Sequence, residues 1–203
     1  MKIETKIGLD FENRAIADGY RFIAGVDEVG RGCLAGAVVA AACILDLSKP
    51  LPEFLNDSKK LTARRRETVA EELKKNVIAY SVAEVSAEEI DRINILQATK
   101  KAMRAAVESL SPKADFLLID AVSLEEIPTP QKAIIKGDAV SASIAAASIL
   151  AKTYRDAAMR ELDALYPEYG FAKHVGYGTK DHFEALRKHG ACPIHRKSFR
   201  GVL

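Results

Sequence analysis

The residues best placed to do chemistry in this 203-residue chain are carboxylates at the ends of apolar runs. Asp27, with Glu28 beside it, closes residues 21–26 (RFIAGV), and Asp120 closes residues 116–119 (FLLI). In an open α/β sheet the carboxyl ends of the strands form the crevice in which ligands bind. If these two runs are adjacent parallel strands, their acids converge there although 93 positions separate them. Asp138, after Lys136 and Gly137, adds a carboxylate at a helix start. Several carboxylates at one point repel one another unless a cation sits between them. Oxygen donors without an accompanying His/Cys set select Mg²⁺ or Mn²⁺ over zinc. Each acid also has a plainer reading: a strand-end Asp caps a turn, and Asp138 suits a helix N-cap. Asp27 and Glu28 face opposite ways in a regular strand, so for both to reach one ion the strand has to end or bend, which Gly30 and Gly32 permit.

Three further groups bear on a ligand. Gly30-Arg31-Gly32 with Gly36 resembles a dinucleotide-binding loop only loosely, because the segment after it (AVVAAACIL, 37–45) reads as a strand rather than a helix and two acids precede it. The loop suits close approach of backbone amides and one arginine to a polymer backbone. Tyr177 stands between Gly176 and Gly178, where a ring can stack on a sugar or base or simply pack. His182, His189, Cys192 and His195 admit a zinc reading, which Pro193 and the basic surroundings weaken. Basic charge is concentrated in residues 57–66 (DSKKLTARRR) and 171–203, a distribution that permits an anionic partner or two merely solvated basic surfaces.

These groups need a scaffold. Residues 21–26, 37–45, 77–85, 116–119 and 133–135 read as short strands. Ser86 caps a helix expected to run to about Leu110, with Ile90, Ile93, Ile95 and Leu96 packing on the sheet and Ser111-Pro112 ending it. Gly137-Asp138 opens a long Ala/Ser-rich helix to about Leu165, and a last helix runs from near Thr179 to Gly190. The pattern predicts an α/β domain with a mixed central sheet.

Composition narrows the class. At 48% hydrophobic and 29% charged residues the chain is globular in type, neither disordered nor collagen-like. It shows no membrane-length apolar run and no signal peptide, so a cytoplasmic protein without a membrane partner is expected. Three cysteines without C-x-x-C spacing suggest no disulfide framework. No repeat or linker divides the chain, and one domain is expected over 1–203, with a core at about 20–165 and a helical C-terminal part at about 166–203.

DEVGRG (27–32), DSKKL (57–61), Asp120, KGD (136–138), AASILAKTYRD (146–156) and HVGYGTKDHFEALRKHGACPIHRKSF (174–199) together resemble ribonuclease HII, in that family's order. The resemblance implies a ribonuclease H-like fold: a five-stranded mixed sheet flanked by helices, with a small helical C-terminal part. It implies hydrolysis of RNA in RNA–DNA hybrids and at single ribonucleotides embedded in duplex DNA, with two Mg²⁺ or Mn²⁺ ions. It makes Asp27, Glu28, Asp120 and Asp138 the acidic metal-binding residues and Gly30, Arg31 and Gly32 the loop that senses a 2′-hydroxyl. Tyr177 matches the tyrosine that stacks on the neighbouring deoxyribose, and Lys59 and Lys60 match a phosphate-contacting segment. Cys33 and Ala37 stand where prolines are common in that family, which bears on loop stiffness more than on chemistry. Nothing calls for more than a monomer, and residues 198–203 carry no recognisable sliding-clamp motif.

Overall fold

The structure, a computed structural model, describes residues 7–55, 58 and 61–203. Small and β-branched residues build its centre: β1 (Ile23–Val29), β2 (Val38–Ile44), β3 (Ala79–Val85), β4 (Phe116–Asp120) and β5 (Gln131–Ile134). The strands lie in the order β3-β2-β1-β4-β5. β2 is antiparallel to β1 and β3, whereas β4 is parallel to β1 and β5. This is the expected five-stranded mixed sheet. Helices α1 (Asp10–Ala17), α2 (Ala63–Asn76), α3 (Ala87–Ile93), α4 (Ile95–Glu108) and α5 (Ala142–Leu165) flank it, and α6 (Phe171–His174) and α7 (Lys180–His189) follow.

Strand alternation decides which face each residue serves. Ala24 and Val26 of β1 join Ala98, Ala102 and Met103 of α4 in one core cluster. On the other face, Val39, Ala41 and Cys43 of β2 join Ala146, Ala147 and Leu150 of α5. At Gly25 a Cβ would overlap the backbone of Ser143 and Ile144, so only glycine lets α5 lie this close to β1. Ile144, Ser148, Ala151, Arg155 and Met159 recur at helical spacing along α5 and are all buried. Two polar residues in that apolar stripe need partners, and both find them at the candidate site.

Three local expectations are corrected. The helix after Ser86 breaks at Asn94, which takes φ 68° and turns its side chain into a cap for α4, accepting from Leu96 N and Gln97 N. Leu96 is consequently exposed rather than packed on the sheet, and Ala98, Ala102 and Ala106 supply the buried stripe. The long helix begins at Ala142, capped by Ser141; Gly137 and Asp138 belong to a separate 3-10 turn (Gly137–Ala139) entered through left-handed Lys136. In the last strand Ile135 is outside β5 and exposed.

Candidate active site

Parallel pairing brings the two strand-end acids together. The β1–β4 ladder ends at Val26↔Ile119, so Asp27 and Asp120 are the next residues on neighbouring strands. Asp27 is buried on the face covered by α5, where Ser148 bonds to its carboxylate. Ser148 in turn lies 2.9 Å from Ser58 Oγ. Since the carboxylate accepts from Ser148, the Ser148 oxygen is left to accept from Ser58. Ser58 adjoins Lys59 and Lys60, which lie outside the described residues.

Burial raises the Asp27 pKa well above its usual range, with Glu28 and then Asp120 pushing the same way against the Ser148 bond. Burial also raises Glu28; Arg31 opposes this, and Asp120 adds to it. β1 does not break after Asp27. It pairs with β2 as far as Val29↔Val39 and outruns β4, so Glu28 stays on the opposite face, partly exposed, with Arg31 Nη1 at 3.4 Å. Asp120 Oδ1 accepts from Gly137 N at 2.6 Å, which fastens the turn carrying buried Asp138 to the end of β4.

The turn after β1 is held from behind by two arginines that sequence reasoning left unassigned. Arg155 is 1% exposed and donates to the carbonyls of Ala37 (3.0 Å), Val175 (2.7 Å) and Ala35 (2.9 Å). Arg196, 0% exposed, donates twice to the Gly36 carbonyl and once to that of Arg31 at 2.9 Å. Among the described residues neither guanidinium forms an ion pair; main-chain carbonyls take their hydrogen bonds, and the Arg196 guanidinium also lies 5.1 Å from the Phe199 ring centroid. Arg155 was legible as the one charge in the buried stripe of α5. Arg196 carried no such signal, because its partners are loop carbonyls.

Two glycines in this turn differ instructively. Gly30 has φ +90° and a Cβ there would overlap Arg155 Nε, so the chain itself demands glycine. Gly32 is exposed, lies outside the left-handed region, and a Cβ there would meet nothing within 4 Å. Among the described residues nothing requires Gly32 to lack a side chain. Tyr177, 41% exposed, pairs with Cys33 as an isolated antiparallel bridge, and Leu34 N donates to Gly176 O at 2.8 Å. The structure therefore places Gly30, Arg31, Gly32 and Tyr177 on two loops zipped together beside the acids.

Among the described residues no three His, Cys, Asp or Glu side chains stand close enough to enclose a metal ion by themselves. The donor chemistry nevertheless fits a hard divalent cation. Asp27 and Glu28 carry charges that burial and mutual repulsion disfavour, and a cation reverses both penalties. Mg²⁺ characteristically takes one or two carboxylates and fills its shell with water and phosphate oxygens. The zinc reading of the C-terminal histidines fails: His182 and His195 bond to each other, to the Tyr177 carbonyl and to Cys192. A groove of about 540 Å³ beside α4 is lined by none of the four acids. Among the described residues no helix is long and apolar enough to cross a membrane.

Comparison with known proteins gives the family and the fold. The ribonuclease HII family profile matches residues 24–202. Ribonuclease HII of Desulfitobacterium hafniense is 59% identical over 191 residues, covering 94% of this chain and 73% of that protein. The Caldanaerobacter subterraneus enzyme of the same name is 53% identical over 93% of this chain and 78% of its own length. Among solved structures, ribonuclease H2 of Pyrococcus horikoshii superposes with a TM-score of 0.77 at 28% identity, over 90% of this chain and 95% of that one. Archaeoglobus fulgidus ribonuclease HII, solved as a complex with PCNA, matches with the same TM-score and identity over 89% and 96%.

Proposed function

The chain belongs to the ribonuclease HII family, metal-dependent hydrolases that act on RNA–DNA hybrids, and on that premise we propose how and where it cuts. Working as one type 2 ribonuclease H domain, it cleaves the RNA strand of hybrids and also cuts 5′ to single ribonucleotides embedded in duplex DNA. The products carry 3′-hydroxyl and 5′-phosphate ends, and the activity serves ribonucleotide excision and RNA primer removal. The observation that carries this reading is the meeting of Asp27 and Asp120 at neighbouring strand ends, beside a Gly32 whose bareness nothing among the described residues requires.

Two bound Mg²⁺ or Mn²⁺ ions would acidify the attacking water and balance charge on the departing 3′ oxygen. Asp27 and Asp120 would hold them most directly, with Asp138 and Glu28 completing the set, Glu28 from the other face past the end of β4, where it already feels the charge of Asp120. Ser148 keeps Asp27 oriented from the buried side. The backbone of Gly30, Arg31 and Gly32 reads the 2′-hydroxyl, the group that separates RNA from DNA. Tyr177 stacks on the deoxyribose that follows, and Lys59 and Lys60 contact phosphate. The chain works as a monomer, and its sequence supports no sliding-clamp contact.

A uniform RNA–DNA hybrid labelled on the RNA strand tests the reaction, with product ends assigned by enzymatic extension and phosphatase treatment. Extendable 3′ ends and phosphatase-sensitive 5′ ends are expected. Cyclic-phosphate 3′ ends would mean that the 2′-hydroxyl attacks, and would remove the hydrolytic scheme.

A further inference from the structure

His174, His182 and His195 are 8%, 0% and 1% exposed and have no part in the chemistry above. Their hydrogen bonds can be given a direction. His182 Nδ1 lies 2.9 Å from the Tyr177 carbonyl, which only accepts, so Nδ1 carries the proton and Nε2 of the neutral ring must accept. His182 Nε2 lies 3.0 Å from His195 Nε2, so His195 donates from Nε2 and accepts at Nδ1. The far end fixes the same polarity independently: Cys192 N–H, which only donates, is 3.0 Å from His195 Nδ1. A proton added to either ring would set two donors face to face.

A second brace runs alongside. His174 donates from Nε2 to the Tyr169 carbonyl at 2.9 Å and accepts at Nδ1 from Gly176 N at 3.2 Å. Its ring stacks on His182 at 4.5 Å, and its carbonyl accepts from Tyr177 N. Tyr169 and Phe171 pack against His195, and Cys192 Sγ is 3.0 Å from its Nδ1. Among the described residues no carboxylate bonds to these rings. Burial keeps His182 and His195 neutral, the latter down to about 4.

Tyr177 lies between two glycines and is 41% exposed; its side chain bonds to Cys33, and the bonds of its peptide groups to the histidine cluster supply a second restraint. Its carbonyl accepts only from His182 and from Thr179 N among the described residues. We propose that His182 is a positioning residue for Tyr177, with His195 and Cys192 locking its tautomer, so that the directed chain Cys192–His195–His182–Tyr177 sets the ring against the substrate sugar. The proposal rests on the substrate-stacking role of Tyr177 given above.

Two measurements on the full chain test it. Long-range ¹H–¹⁵N spectra of the ¹⁵N-labelled protein at neutral pH show which ring nitrogen is protonated. His182 on Nδ1, with His195 and His174 on Nε2, is expected; His182 protonated on Nε2, or on both nitrogens, overturns the chain. In the second measurement, cleavage of a duplex with one ribonucleotide is compared for His182→Leu, Tyr177→Ala and the double variant. Each single change should lower kcat/KM about tenfold, and the double should fall within about twofold of Tyr177→Ala, because both remove one contribution. His182→Asn, which can still donate to the carbonyl, should recover to within about threefold of wild type. Multiplying losses, or a folded His182→Leu with wild-type activity, overturn the positioning role. If His182→Leu does not fold, His195→Phe takes its place with an expected loss of about threefold, again absent on the Tyr177→Ala background. A Tyr177→Ala variant that cuts like wild type refutes the stacking role and the proposal with it, and shows this without any histidine change.

Discussion

Gly30 and Gly32 stand two positions apart and should respond oppositely to the same added methyl group. At Gly30 the backbone has φ +90°, where a side chain costs about 1–3 kcal/mol. The new Cβ would also displace Arg155, whose three bonds to Ala35, Ala37 and Val175 carbonyls tie the loops together. Losing one such charged bond costs about 1.5–3 kcal/mol. Gly30→Ala should therefore lower Tm by roughly 10 °C for a chain of this size. At Gly32 neither penalty exists, and the reduced freedom of the unfolded chain should leave Tm unchanged or raise it by roughly 1–4 °C. Activity should nevertheless fall about 100-fold, since the methyl holds the substrate backbone off by an ångström or more. Thermal melts of both variants, with kcat/KM on a ribonucleotide-containing duplex, decide the matter. A Gly32→Ala enzyme that melts and cuts like wild type refutes the argument that its bare face is reserved for substrate.

Asp27→Asn should reduce cleavage about 1,000-fold or more while hybrid binding survives. Because the Asp27 pKa is raised in the fold, its charge destabilises the metal-free protein at neutral pH, so this variant should melt no lower than wild type and gain less from added Mg²⁺ or Mn²⁺; a large fall in metal-free Tm contradicts this. Tyr177→Ala should weaken cutting at a single ribonucleotide, in line with a stacking contribution of about 1–3 kcal/mol, and leave Tm nearly unchanged; a change confined to Tm points to packing instead. His195 titrates at about 4 in the fold against 6.5 in the free residue, so the unfolded chain takes up the proton first. The stabilisation is whole above the unfolded value and is lost as pH falls towards 4, by about 3 kcal/mol in all. Urea unfolding of wild type and His195→Leu from pH 7 to 4.5 should converge, and parallel curves would contradict the buried neutral ring.

Much of the site was legible because its logic is local. An apolar run ending in an acid marks a strand end, and parallel pairing of β1 with β4 does the rest for Asp27 and Asp120. The opposite facing of Glu28 was equally readable, but the expected break after Asp27 is not there: β1 stays paired with β2 to Val29 and outruns β4. Capping competition hid two boundaries. Asn94 and Ser141 took caps that the sequence pattern had passed over or given to Asp138, and only the packed chain decides among nearby candidates. Ser148 and Arg155 were readable in principle from their period along α5. Arg196 was not, since a bond from a side chain to loop carbonyls 160 and 165 positions away leaves no pattern in sequence.

The central claim is metal-dependent cutting directed by a 2′-hydroxyl. An end-labelled DNA duplex with one ribonucleotide, beside an all-DNA duplex of the same sequence, tests it with Mg²⁺, Mn²⁺ or chelator. One cut on the 5′ side of the ribonucleotide, present with either metal and absent from the chelated and all-DNA reactions, is the predicted result. Cutting of the all-DNA duplex, or no cut in either metal from a folded sample, contradicts it.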